Sequence, residues 1–117
     1  MPHDVPSPIS AIHELLYRLG ITANYTGFFQ TAYAVQLSIQ QPERLLLVTK
    51  WLYPEVARYY GTTWVCVERN IRSAAEVAWR NNRQLLETLA HRSLPRRPTA
   101  SEFLADLTAY LQHDSVA

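Results

Sequence analysis

Cysteine is almost absent from this sequence of 117 residues, and the single Cys66 excludes a disulfide within the chain. One isolated thiol is typical of a reducing compartment, so we expect the cytoplasm. No apolar run is long enough to cross a bilayer, and no membrane partner is expected. Residues 1–4 lack both the basic start and the apolar stretch of a secretory signal peptide.

The residue patterns of catalytic and metal sites are also missing. The four histidines, at positions 3, 13, 91 and 113, are scattered, and no second cysteine completes the spacing of a zinc site. There is no glycine-rich phosphate loop and no serine elbow. Cys66 has no histidine near it in the sequence, so we interpret it as a packing residue rather than a nucleophile. We therefore predict no enzyme, no metal and no cofactor.

Net charge is only +1, but its distribution along the chain is uneven. Residues 1–57 carry three cations and four anions, and residues 98–117 carry three anions and no cation. Residues 58–97 hold three glutamates and eight cations, a net charge of +5, and all eight are arginine. Arginine suits phosphate groups and guanine edges, so this stretch is a candidate for nucleic-acid binding. An ordinary arginine-rich solvated face is the alternative. The cations are Arg58, Arg69, Arg72, Arg80, Arg83, Arg92, Arg96 and Arg97.

Apolar residues recur every three or four positions, and no segment shows the alternation of a strand. The pattern predicts one all-α domain over residues 1–117, a compact bundle of about six helices. Ser7 and Pro8 favour the start of a first helix that ends at Gly20, and a second helix is predicted for 27–40. The apolar run 45–48 indicates a helix buried in the middle of the domain. Thr99 and Glu102 form a capping box for the last helix, after a loop at 94–98.

A helix-turn-helix is predicted at about 54–80. Pro54 suits the first turn of a short helix that ends at Tyr60, and Gly61 can adopt the left-handed conformation of a sharp turn. Thr62 or Thr63 can then cap the next helix. Small Ala57 allows the two helices to cross closely, and branched Val67 fills the angle between them. Two packed helices without any ligand are the alternative to this interpretation.

The second helix of this pair has two opposed faces when it is laid out at about 100° per residue. The outer face carries two arginines one turn apart, each able to bind the acceptors of a guanine, and Glu68 at its edge could accept from cytosine. Val65 could contact a thymine methyl group. Alternatively, Glu68–Arg72 and Arg72–Glu76 are only surface ion pairs. The inner face is Trp64, Val67, Ile71, Ala74 and Ala78, and the outer face is Val65, Arg69, Arg72 and Glu76.

Several blocks of the sequence resemble the C-terminal DNA-binding domain of the stage-zero sporulation regulator, a response-regulator transcription factor of endospore-forming bacteria. The blocks are residues 49–57 (TKWLYPEVA), Thr62-Thr63, Val67-Glu68-Arg69, Ile71-Arg72, 76–79 (EVAW), Pro98-Thr99 and Ser101-Glu102-Phe103. The resemblance implies a six-helix effector domain that binds short promoter elements and contacts RNA polymerase and its sigma factor. It implies that Glu68 and Arg69 read bases, with Arg72 beside them. A homodimer on DNA is a further expectation.

The sequence also departs from that family. The family's receiver domain, with its phospho-accepting aspartate, has no counterpart here, so we expect no switching by phosphorylation in that way. The start of the second helix is polar with a basic residue in the family but is Trp64-Val65-Cys66 in this chain. Asn70 and Ser73 replace an alanine and a histidine. The residues predicted to bind DNA are Thr63, Val65, Glu68, Arg69, Arg72, Ser73 and Glu76, with Arg58, Arg80, Arg96 and Arg97 on phosphates.

A protein-interaction module is the competing prediction. In it the helix-turn-helix has lost DNA binding, and the apolar start of its second helix docks on a regulator or on a second copy of the chain. The exposure of Trp64 separates the two: a buried indole favours DNA reading, and an exposed one makes an interface patch. Other aromatic residues are interpreted as core and inter-helix packing: Tyr25, Phe28, Phe29, Tyr33, Trp51, Tyr53, Tyr59 and Tyr60.

Overall fold

The computed structural model describes residues 8–116, with side chains for 9–112. This part of the chain is all-helical, as predicted, and six of its α-helices have eight residues or more. The predicted cap Ser7 lies outside the described residues. The helices are α1 (Pro8–Arg18), α2 (Thr26–Gln40), a 3-10 helix (Pro42–Leu46), α3 (Val48–Trp51), α4 (Tyr53–Tyr60), α5 (Trp64–Asn81), α6 (Arg83–Ala90) and α7 (Ala100–Val116).

Helix α2 is the centre of the domain, and it packs against α1, α4, α5 and α7. Phe28, Ala32 and Val35 of α2 are buried, and Ile39 is half-buried. Burial of an apolar side chain of this size contributes about 1.5–3 kcal/mol, so α2 fixes the positions of the helices around it. Gly20 has a φ of 88° and ends the first helical segment, as predicted.

The prediction of a buried helix at 45–48 is wrong. Pro42 does open a helix after α2, but it is a 3-10 helix without a buried residue, and the single helical turn α3 follows it. Leu46 and Leu47 are 76% and 48% exposed. Four consecutive apolar residues are too few to define a period, so the run could not show which side chains face inward.

Helices α2 and α5 approach each other closely at Gly27. A Cβ atom placed on Gly27 would lie 2.2 Å from the backbone oxygen of Asn70 and 3.3 Å from the Cβ of Ala74. One turn along α2, the amide of Asn70 donates to Oε1 of the buried Gln30 at 3.0 Å. The absent side chain and this polar contact together set how α5 lies on the core.

The C-terminal part starts at α6 and continues through a loop to α7. The capping box is confirmed: Glu102 N donates to Thr99 Oγ1 at 3.2 Å, and Thr99 N donates to Glu102 Oε1 at 2.9 Å. The backbone bond from Thr99 holds the pKa of the Glu102 carboxyl below its usual value. The loop at 94–98 is also confirmed, with Leu94 and Pro98 buried and the residues between them exposed.

Candidate nucleic-acid interface

A three-residue connection joins α4 to α5 at Gly61, which has φ 66° and ψ 40°. Thr62 N donates to Ala57 O at 2.9 Å, the bond expected when a helix ends in a left-handed residue. Thr63 caps α5, because its hydroxyl accepts from Cys66 N at 3.2 Å. Ala57 and Val67 are 4% and 0% exposed, so both fill the angle between the helices. This geometry is consistent with the predicted helix-turn-helix.

Replacing Gly61 with valine should lower the free energy of unfolding by about 1–2 kcal/mol, because a branched residue resists positive φ. No atom lies within 4 Å of the added Cβ, so backbone strain is the only expected cost. Gly61→Asn is the matched control, since asparagine adopts this conformation more readily. Urea unfolding measures the free energy of unfolding of both variants. Equal losses of stability in the two would contradict the interpretation that backbone strain alone causes the loss.

The outer face of α5 is exposed as predicted. Val65, Arg69, Arg72 and Ser73 are exposed, whereas Glu76 on the same face and Glu68 at its edge are half-buried. On the inner face, Val67, Ile71, Ala74 and Ala78 are at most 2% exposed. The helix therefore presents a mixed glutamate–arginine surface over its first three turns while its opposite side holds it to the core.

Trp64 does not belong to that inner face, so this part of the prediction is wrong. Its side chain is 43% exposed beside Val65, which is 55% exposed, and Cys66 is half-buried. Trp64 is the first residue of α5, directly after an exposed turn. Helical periodicity gives the direction of its side chain, but it does not show whether another helix covers that side chain. The start of α5 is thus an exposed apolar patch, formed by Trp64 and Val65.

The hydrogen bonds of the outer face differ between its two arginines. Arg72 donates to both carboxylate oxygens of Glu68, at 3.0 and 3.2 Å. Arg69 donates to Cys66 Sγ at 3.3 Å, and it has no carboxylate partner among the residues whose side chains the structure describes. Hydrogen bonding to Thr63 and Thr62, and then to Arg69, lowers the pKa of the Cys66 thiol. Most donors of Arg69 therefore remain open to a ligand.

The arginine-rich stretch neutralises much of its own charge. Five of its eight arginines form ion pairs, and the predicted Arg72–Glu76 pair is replaced by a contact from Glu76 to Arg97, at 2.7 Å. Among the described residues Arg58, Arg69 and Arg80 have no ion pair, so they carry the uncompensated positive charge. The pairs are Arg72–Glu68, Arg83–Glu87, Arg92–Asp106, Arg96–Glu102 and Arg97–Glu76.

Helix α6 fixes the start of the loop that carries Arg96 and Arg97. Leu94 O accepts from Arg83 at 2.7 Å, and Leu94 N donates to Glu87 Oε2 at 2.7 Å. The second bond is the main reason that the pKa of the Glu87 carboxyl is lowered. With Leu94 and Pro98 buried on either side, the two arginines protrude from a segment whose ends are fixed.

The prediction that the aromatic residues serve core and inter-helix packing is confirmed for some of them only. Phe28 and Tyr53 are core residues and Tyr33 is half-buried, but five others are between 39% and 66% exposed. Tyr33 stacks on Tyr59 with ring centroids 4.5 Å apart, and Tyr60 packs edge-on against both. The sequence pattern could not reveal this surface cluster, because its members come from two separate helices. The five exposed residues are Tyr25, Phe29, Trp51, Tyr59 and Tyr60.

No helix in the described part of the chain is both long and apolar enough to span a membrane. Residues 8–116 also contain no group of three histidine, cysteine or acidic residues placed to hold a metal ion.

An all-helical domain with an exposed glutamate–arginine face after a glycine turn is the kind of arrangement found in helix-turn-helix DNA-binding proteins. Residues 12–111 match the family described as sporulation initiation factor Spo0A C terminal. Because the match covers most of the chain, the chain belongs to this family, which confirms the resemblance seen in the sequence. It is a DNA-binding effector domain of the type found in a sporulation regulator, and the family is not one of enzymes.

Proposed function

We propose that this domain is a sequence-specific transcription regulator that reads the major groove with α5. The observation that carries the proposal is the outer face of α5. There Arg69 is exposed next to Glu68, and among the described side chains it has no acidic partner. The groove is wide enough for one α-helix, and the first turns of a recognition helix reach the base edges. Because the core contacts of α5 are made by its inner face, the outer face can enter the groove while the domain stays folded.

Each residue on this face has a proposed role. Arg69 donates to the O6 and N7 atoms of a guanine, and Glu68 accepts from a cytosine amino group. Val65 contacts a thymine methyl group, and Thr63 lies at the helix start, where a hydroxyl can reach a phosphate. Arg72 is a base reader or a phosphate contact, depending on whether Glu68 releases it. Ser73 and Glu76 extend the face toward the edge of the groove.

Phosphate contacts are proposed for Arg58, Arg80, Arg96 and Arg97. The ion pairs divide these four into two classes, because Arg96 and Arg97 each bind a carboxylate, whereas Arg58 and Arg80 have none among the described side chains. A free guanidinium can bind a phosphate without first losing a partner, so Arg58 and Arg80 should contribute more to sequence-independent affinity.

Arg58→Gln and Arg80→Gln should each reduce the slope of log affinity against log salt concentration by about 0.9, the change expected for one phosphate contact. Both variants should weaken binding to all duplexes alike. Arg18→Gln on α1 is the matched control: it removes the same charge outside the arginine-rich stretch and should leave the slope unchanged. A salt titration by fluorescence anisotropy measures this. Equal slopes for all three variants and the wild type would contradict the assigned phosphate contacts.

Other partners follow from family resemblance alone and are part of the proposal. We expect contact with RNA polymerase and its sigma factor once the domain is on a promoter, and a homodimer on DNA. The cytoplasm of a bacterium is the proposed location, since that is where a promoter would be bound.

The exposed patch of Trp64 and Val65 favours a second candidate, the protein-interaction module. In this candidate the patch binds a regulator or a second copy. Sedimentation velocity over a range of protein concentrations tests the second-copy form. Self-association that Trp64→Ala abolishes, together with no binding to any duplex at low salt, would favour this candidate over DNA reading.

A further inference from the structure

The ion pair between Arg97 and Glu76 links the arginine loop to the outer face of α5. The two side chains approach to 2.7 Å, although they are 21 residues apart in the sequence and both are exposed by more than two fifths. The loop cannot drift far from this contact, because α6 binds the backbone of Leu94 and the side chain of Pro98 is buried.

A carboxylate and a DNA phosphate compete for the same donors of a guanidinium. In the free protein, Glu76 occupies donors of Arg97 that a phosphate would need. An exposed ion pair is worth at most about 1 kcal/mol, so a duplex can open it, but only at a cost. Arg97 therefore differs from Arg58 and Arg80, which have no such competitor among the described residues.

We propose that Glu76 acts through Arg97 to suppress sequence-independent DNA binding. This inference rests on the proposed function. While the pair is closed, Arg97 adds nothing to the attraction for phosphates, and Glu76 adds a negative charge beside the duplex. On a preferred site the base contacts hold the duplex in one register against α5, so a phosphate lies beside Arg97 and can displace Glu76; a random duplex is not held in that register, and the pair stays closed. Glu76 is then a residue that sets specificity without reading a base.

A double-mutant cycle on the full chain tests the inference, with Glu76→Gln, Arg97→Gln and the double variant. The probes are a random-sequence duplex and a duplex selected by the wild type from a random library. Glu76→Gln should strengthen random-duplex binding by about fivefold, and the salt slope should steepen by about 0.9 as Arg97 gains a phosphate. Arg97→Gln should have little effect on random-duplex binding in the wild type. In the Glu76→Gln background it should reverse the steeper salt slope and most of the gain, leaving only the part that comes from the lost negative charge of Glu76.

The outcomes separate this inference from the function on which it rests. If the wild type binds no duplex, both the proposed function and the inference fail. If the wild type binds but the two substitutions have additive effects, Glu76 does not control Arg97, and only the inference is overturned. Weaker random-duplex binding by Glu76→Gln would also overturn it, since Glu76 would then position Arg97 for phosphate rather than withhold it. Thermal unfolding of each variant verifies that the fold is intact.

Discussion

Replacing Gly27 with alanine is expected to lower the free energy of unfolding by about 3 kcal/mol, the upper end of the usual range for overpacking. The added methyl carbon would lie 2.2 Å from the backbone oxygen of Asn70, which no rotamer change can move. Helices α2 and α5 would have to separate, which would weaken the contact between Asn70 and the buried Gln30. Urea unfolding with an unchanged m-value measures the loss.

Thr26→Ala is the control for this prediction, because it alters the neighbouring exposed residue at the same helix end. Its effect should stay within about 0.5 kcal/mol. Alanine is ordinarily a better helix former than glycine, so a site without a close neighbour would gain stability from Gly27→Ala. Stability equal to or above that of the wild type would therefore contradict the close approach of α2 and α5.

Replacing Arg69 with alanine should cost about 1–3 kcal/mol on the preferred duplex and relax discrimination at one base pair. The reason is that Arg69 has open donors on the outer face of α5, since among the described side chains it donates only to the thiol of Cys66. Binding to a random duplex should fall much less. Glu68→Ala, in contrast, should leave random-duplex binding unchanged or stronger while it broadens sequence choice. Anisotropy with both duplexes at one salt concentration gives the comparison.

Arg72→Ala is the matched control variant for this experiment. It lies one turn further along the same face, but Glu68 already binds its guanidinium. If Arg72 contacts only phosphates, its loss weakens both duplexes by the same factor. The same uniform loss in Arg69→Ala would show that Arg69 positions the domain rather than reads a base, and the assigned reading face would be wrong.

Local chemistry made much of the fold predictable. The capping box of Thr99 and Glu102 and the left-handed Gly61 depend on residues within a few positions of one another, so their sequence pattern was sufficient. For the cap of α5 the pattern left Thr62 and Thr63 open, and the structure shows Thr63. The outer face of α5 followed from helical periodicity for the same reason. The roles proposed for its residues remain predictions.

Features that depend on distant residues were not predictable. The pairing of Glu76 with Arg97 needs the path of α6 and the loop, and a local rule favoured Arg72 instead. Helical periodicity placed Trp64 on the inner face of α5, yet its side chain is 43% exposed. Tyr59 and Tyr60 make the predicted inter-helix contacts with Tyr33, but their other sides are exposed. A helical pattern gives the direction of a side chain, and tertiary packing decides whether anything lies there.

The most direct test of sequence-specific DNA reading is a salt-titrated binding measurement on the intact chain. The probes are a panel of promoter fragments and a random duplex of equal length. We predict that at least one fragment binds about 10³-fold more tightly than the random duplex, within the usual range for specific recognition, and that affinity falls steeply with salt. Equal affinity for every duplex, or no binding at low salt, would contradict the proposal.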